Sequence, residues 1–222
     1  MQRNRVDDIR HEFKRLLTNG DYVIDKTGCK MLEIAGASFI ADEDSIFGKV
    51  NYDYVSREIS WYESMSLNVN DIPSPVPKIW KDVAASDGTI NSNYGWCIWS
   101  EENHQQYKHV IGELLSNPFS RRATMIYTRP TMWYDYNVDG RSDFMCTNAV
   151  QYLIRDHKLH AIVQMRSNDS VFGYKNDRAW QQYVLDKLVK DLKRHIPDVV
   201  PGDVHWNVGS LHVYKGHFDL VK

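Results

Sequence analysis

Apolar spacing in this chain switches between helical and alternating patterns without a fixed rhythm, and that irregularity constrains the fold more than any single motif. Val6, Ile9, Phe13, Leu16 and Leu17 recur at helical spacing and Gly20 follows as a stop, which predicts a helix over about 5–18. Tyr22–Ile24 and Met31–Ile40 read as strands around a turn at Lys26-Thr27-Gly28. Asn51 caps a helix with the face Val55, Ile59, Tyr62 and Met65. Asn103 is the expected cap of another with Tyr107, Val110, Ile111, Leu114 and Leu115, ending before Pro118. Pro73, Pro75 and Pro77 mark a loop. Ala123, Met125 and Tyr127 alternate with polar neighbours. Phe144–Ile154 and Leu159–Met165 predict a hairpin across the polar turn 155–158. Trp180, Val184, Leu188 and Leu192 define a long helix, and Trp206–Tyr214 alternates as a last strand. Regular strand–helix–strand alternation is missing, so the expected class is α+β, a mixed β-sheet packed with helices, in one domain over 1–222.

Composition narrows the function classes. The chain has 222 residues, 42% hydrophobic and 25% charged, with a net charge of −2, so it is globular and carries no basic excess for nucleic acid. Three cysteines, Cys29, Cys97 and Cys146, are too few and too far apart for a disulfide framework or a zinc site, and they fit a reducing compartment. Neither a signal core nor an apolar run of membrane-spanning length occurs, so a cytoplasmic protein without membrane contact is expected. The sequence contains no phosphate-binding glycine loop, dinucleotide fingerprint or nucleophile elbow.

Taken singly, the chemistry-bearing residues have ordinary readings. Cys146 in Asp143-Phe144-Met145-Cys146-Thr147-Asn148 reads as a mid-strand core thiol, Glu58 as a solvated helical acid, and Arg121-Arg122 as a loop. His212 and Tyr214 lie two apart, on one strand face. Their order along the chain says more: Lys26, Glu58, Trp80, Tyr94, Arg121-Arg122, Cys146, Arg166-Ser167-Asn168-Asp169, Asp177 four residues beyond Gly173, then His212-x-Tyr214. In this order, and in the stretches Asn117–Arg122, Arg166–Asp177 and His212-Val213-Tyr214, nearly the whole chain resembles the thymidylate synthase superfamily. The blocks 90–96, 143–148 and 206–214 resemble the branch of T-even-type bacteriophages that hydroxymethylates deoxycytidylate. Cys146 is flanked by Met145 and Thr147, where thymidylate synthases have Pro and His, which agrees with that branch.

The resemblance implies a thymidylate synthase-like fold whose sheet face forms a dimer interface. It also implies a transferase that moves the methylene of 5,10-methylenetetrahydrofolate to C5 of dCMP and adds water, giving 5-hydroxymethyl-dCMP and tetrahydrofolate for phage DNA. By resemblance Cys146 is the nucleophile at C6, Glu58 organises water and protons, and Tyr94 assists proton removal from C5. Lys26, Arg166 and Ser167 hold the 5′-phosphate, joined by Arg121 and Arg122 from a second subunit, and His212 with Tyr214 holds the sugar 3′-hydroxyl. Ile79, Trp80 and Asp169 meet the folate. Asp177 stands where thymidylate synthases have Asn and suits the cytosine amino group. The implied setting is the cytoplasm of an infected bacterium, with other phage nucleotide-synthesis enzymes as candidate partners and no metal. The rivals are a dUMP methylase or hydroxymethylase, a CMP hydroxymethylase, and a catalytically silent nucleotide- or RNA-binding protein on the same scaffold.

Overall fold

The computed structural model describes residues 3–25 and 27–222. The predicted phosphate ligand Lys26 therefore lies outside the described residues. The chain divides into two compact units, one built from Met1–Val50 and Leu153–Lys222 and the other from Asn51–Tyr152.

The first unit begins with α1 (Val6–Asn19), which buries Val6, Ile9, Phe13 and Leu16. Gly20 takes a φ of 73° and sends its N–H back to the last turn, the expected glycine stop. β1 (Val23–Ile24) and β2 (Lys30–Ile40) follow. The turn between them is held by Asp25, whose Oδ1 accepts from the backbone of Thr27 and Cys29 and from the Thr27 hydroxyl.

In the second unit lie α2 (Tyr52–Ser64), α3 (Lys78–Val83), α4 (Tyr94–Trp99), α5 (Gln106–Ser116), β3 (Thr124–Ile126) and the short α6 (Met132–Asp135). Asn51 caps α2 by accepting from the Tyr54 N–H, as its sequence position predicts. The buried face of α2 is Val55, Glu58, Trp61 and Tyr62, while Met65 is exposed in the left-handed cap. The apolar stripe is thus rotated from its expected position so that an acid lies among the buried residues. Asn103 does not cap α5. Its amide donates to Trp96 O and Ser100 Oγ, and Gln105, in the left-handed region, stands at the cap.

β4 (Thr147–Arg155) carries the chain from the second unit back to the first. β5 (Lys158–Asp169), α7 (Gly173–Leu192) and β6 (Val200–Tyr214) complete the fold. Asp156 and His157 both have positive φ, the paired left-handed conformation of the tight two-residue hairpin turn joining β4 to β5. In the first unit β1, β2, β6 and β5 lie side by side in that order, with β5 and β6 parallel and β2 antiparallel to both β1 and β6; in the second, β3 pairs antiparallel with β4.

Alternation on β2, β5 and β6 sorts the sheet residues of the first unit. Leu32, Phe39, Val163, Met165, Trp206 and Val208 are buried, and α1 and α7 pack on these strands. Their immediate sequence neighbours Ser38, Ile162, Gln164 and Asn207 remain partly or fully exposed. No helix among the described residues is long and apolar enough to cross a membrane.

Candidate active site

In the second unit, Cys146 lies in the bend just before β4 rather than mid-strand. The segment leading to it is tied down at Asp143, a buried carboxylate. Its Oδ2 accepts the backbone N–H groups of Asn91 (2.6 Å) and Ser92 (2.8 Å), and its Oδ1 accepts from the Ser92 hydroxyl (2.6 Å). Asn91 returns a bond from its amide to Asp143 O (3.0 Å), and its own Oδ1 accepts from Arg141 (2.9 Å) and Arg129 (3.2 Å). These bonds hold Met145 in the core and leave Cys146 half-buried. Cys97 is the contrast. It is fully buried on α4, and burial pushes its thiol pKa up to about 12, which removes it as a nucleophile at neutral pH.

The same polar knot positions Tyr94. Asn93 caps α4 through the Trp96 N–H (2.8 Å) and sends its amide to the carbonyls of Trp61 (3.0 Å) and Ser66 (2.8 Å). Gly95 follows, and a Cβ there would meet Tyr62 O at 1.7 Å, so only glycine lets α4 approach the end of α2 so closely. Tyr94 is buried, stacked on Tyr62 and edge-on to Tyr127.

Glu58 is 5% exposed, not solvated. Burial pushes its pKa up from 4.5 to about 7, opposed by hydrogen bonds from Tyr54 and Trp80. The Tyr54 hydroxyl donates to Glu58 Oε1, and the Trp80 indole N–H donates to Tyr54 Oη (2.8 Å) and more weakly to the same Oε1 (3.2 Å). Tyr54 is absent from the sequence-based candidates, although it precedes Glu58 by four residues on one helix and so shares its face. Arg57 clamps the proline loop before α3 by donating to Pro73 O (2.7 Å) and Pro75 O (2.8 Å). That loop delivers Trp80, and next to it Ile79 is 62% exposed, an apolar side chain offered to solvent. Arg121 and Arg122 are exposed; Arg122 pairs with Glu113 at 3.0 Å.

In the first unit, Arg166, Ser167, Asn168 and Asp169 close β5, in parallel register with β6, so that Asp169 lies opposite His212. Arg166 is exposed, whereas His212 is buried, with its ring edge-on to Tyr214 at 5.0 Å. Asp169 Oδ1 accepts the backbone N–H groups of Val171 (2.6 Å) and Phe172 (3.0 Å), fixing the turn into α7. Asp177 lies on α7 and is half-buried. Its Oδ2 accepts from the Asn168 amide (2.7 Å), and Asn168 Oδ1 accepts from the Trp206 indole (3.3 Å), which fixes the orientation of that amide. Gly173 sits within this arrangement, where a Cβ would meet Asn168 Nδ2 at 3.1 Å. Asn168 lies in the stretch Arg166–Asp177 that resembles the family, but the resemblance gives it no role; its burial beside Asp177 comes only from the fold.

Among the described residues, one group has metal-ligand character: His160, Asp203 and His205 on β5 and β6. Its donors already face N–H groups. His160 Nδ1 accepts the Asp203 backbone N–H (3.0 Å), and the Arg3 guanidinium lies 2.9 Å from His205 Nδ1. Burial lowers both imidazole pKa values. An ion there would have to displace Arg3 and break the His160 bond.

Comparison with known proteins decides the family. Residues 10–222 match the thymidylate synthase family model. The chain belongs to the thymidylate synthase family. Proteins named deoxycytidylate 5-hydroxymethyltransferase from Enterobacteria phages T6 and T4 are each 60% identical to it over 218 residues, 97% of this chain and 89% of theirs. A thymidylate synthase of Bacillus subtilis subsp. natto is 28% identical over 181 residues, 78% of this chain and 61% of that enzyme. This member of the family therefore carries the resemblance seen in its sequence across almost its full length.

Proposed function

We propose that the chain is a deoxycytidylate 5-hydroxymethyltransferase. It would transfer the methylene of 5,10-methylenetetrahydrofolate to C5 of dCMP and add water, releasing tetrahydrofolate and 5-hydroxymethyl-dCMP. One observation carries this reading: 60% identity over 97% of the chain to the phage proteins of that name.

The chemistry assigns the roles. C5 of a pyrimidine is a poor nucleophile until a thiolate adds at C6, and Cys146 is the half-buried thiol for that addition. Tyr94 assists loss of the C5 proton. As the bond from the methylene carbon to the folate nitrogen breaks, the base is left with an exocyclic methylene; water adds to it, the C6–S bond breaks and Cys146 leaves as a thiolate, with Glu58 exchanging the protons. A carboxyl poised near pH 7 suits both giving and taking one. Ile79 and Trp80 fit a folate ring system, since an exposed aliphatic beside an indole is a surface a flat heterocycle covers. Asp169 meets the pterin with the part of its carboxylate not used by the turn.

Arg166, Ser167 and Lys26 bind the 5′-phosphate, and His212 with Tyr214 binds the 3′-hydroxyl. Asp177 reads the base. Cytosine offers an amino donor at C4 and an acceptor at N3, and a carboxyl group can accept from the first and share a proton with the second. The working unit is a homodimer in which the exposed Arg121 and Arg122 reach the partner's phosphate site; Arg122 would exchange its Glu113 pairing to do so. The phage relatives fit work in the cytoplasm of an infected bacterium.

The test is direct. Incubation with methylenetetrahydrofolate and dCMP, dUMP or CMP, with products identified by mass, should add one hydroxymethyl group to dCMP alone. A methylated dUMP product, or none from dCMP, would overturn the reading.

A further inference from the structure

Among the described residues, the hydrogen bonds to the Glu58 carboxyl on α2 all fall on Oε1. Tyr54 Oη–H donates to Oε1, and the Trp80 indole N–H, 2.8 Å from Tyr54 Oη, reaches the same Oε1 at 3.2 Å. Tyr54 precedes Glu58 by one helical turn, and Arg57 between them fixes the proline loop that brings Trp80 to the phenol. An oxygen that accepts two donors behaves as the carbonyl side of a carboxylic acid. The proton of a neutral Glu58 then belongs on Oε2.

We propose that Tyr54 is a positioning residue for Glu58: with Trp80 it holds Oε1, so that proton exchange during one-carbon transfer runs through Oε2. The assignment rests on the hydroxymethyltransferase reading for its substrate and on the hydrogen bonds alone for its geometry. In that reaction the Oε2 proton passes to the departing folate nitrogen as its bond to the methylene carbon breaks. The charge left on Glu58 is stabilised at Oε1 by the two donors. Water then forms the new C–O bond to the methylene carbon, and the proton it sheds restores Oε2, so Glu58 ends as it began. Burial alone would leave the carboxyl free to rotate and its anion without support; the phenol supplies both orientation and a donor.

The test reads Glu58 itself. Its carboxylic C=O stretch, assigned by its loss in Glu58→Gln, can be titrated by difference infrared spectroscopy in the free protein, without turnover. Tyr54→Phe removes a donor to the anion and should move that titration up by about one pH unit. The kcat should fall by about tenfold, with KM for both substrates kept within about twofold, the signature of a lost transition-state contact. Replacing Tyr54 by 3,5-difluorotyrosine keeps the shape and strengthens the donor, so the titration should move down; this arm stands if Tyr54→Phe fails to fold. A Glu58 titration unchanged in the foldable variants, even with activity lost, would overturn the assignment. A wild-type chain that leaves dCMP unchanged would instead overturn the functional reading, and the infrared titration would still report on the hydrogen bond.

Discussion

Glu58 on α2 and Asp177 on α7 are both acids on helices, and the structure treats them in opposite ways. Glu58 is buried, with an aromatic pair donating to one oxygen, and its pKa is pushed up to about 7. Asp177 is half-buried and is oriented by an amide whose direction is fixed by the Trp206 indole. Burial makes a carboxyl a carrier of protons near neutrality; orientation by hydrogen bonds makes one a reader of donor and acceptor patterns. The division extends to the two units. The one with Glu58 holds Cys146, Tyr94 and Trp80, and the one with Asp177 holds Arg166, Ser167, His212 and Tyr214. Lesions in the first set should strike kcat, and lesions in the second should strike affinity and base choice.

The largest effect belongs to Cys146→Ser. A hydroxyl is a far weaker nucleophile than a thiolate, so turnover should fall on the order of a thousandfold or more while dCMP still binds. Tritium release from C5-labelled dCMP checks the loss, and calorimetric titration with dCMP checks the binding. Equal loss of both would blur the division between the sets.

Glu58→Gln tests what burial does. The folded pKa lies above the unfolded one, so between about pH 4.5 and 7 the native state holds a proton that the unfolded state has released, and stability falls as pH rises through that window. At 1.36 kcal/mol per unit the penalty reaches about 3 kcal/mol at pH 8. Glu58→Gln escapes it, so its advantage in Tm over the wild type should be absent at pH 4 and fully developed at pH 8. A gap independent of pH would mean that Glu58 is not a buried, proton-holding acid.

Asp177→Asn tests orientation. Asn168 offers its amide N–H to position 177, so an asparagine there turns its carbonyl to Asn168 and its own NH2 away, toward O4 of uracil rather than the amino group of cytosine. A mispaired buried group costs about 1–3 kcal/mol. The dCMP:dUMP ratio of kcat/KM should therefore shift toward dUMP by at least about tenfold, with dCMP against CMP little changed. An unmoved ratio would take base reading away from Asp177.

Arg121→Ala and Cys146→Ser should each be inactive alone, yet mixing the two should restore activity. Random pairing makes half the dimers hybrids, each with one intact site, so about a quarter of wild-type activity should return. Failure to complement, with hybrids verified by native mass spectrometry, would confine each site to one subunit.

Much of the scaffold was legible because it follows local rules. α1 with its Gly20 stop, the Asn51 cap and the β4–β5 hairpin all appear where spacing and turn residues put them. What escaped depends on distant partners. Asn103 reads as a cap, but its amide is taken by Trp96 O and Ser100 Oγ. Cys146 reads as strand, but Asp143 ties the preceding residues to Asn91 and Ser92, and β4 starts one residue later. Periodicity predicts a solvated Glu58, because nothing local announces that Trp80 will cover it. The order of the site residues was visible only through family resemblance. Tyr54 and Asn168, which hold the two acids, needed the fold.

The central claim is that Cys146 adds covalently to a cytosine nucleotide during one-carbon transfer, and trapping that adduct tests it most directly. In 5-fluoro-dCMP the fluorine cannot leave C5 as a proton does, so after methylene transfer the base should stay joined to the enzyme and the folate. Intact mass measurement with methylenetetrahydrofolate should show a gain equal to nucleotide plus folate, mapping to the peptide that contains Cys146. The absence of an adduct, its attachment to Cys29 or Cys97, or its formation with the fluorinated uracil nucleotide alone would contradict the account.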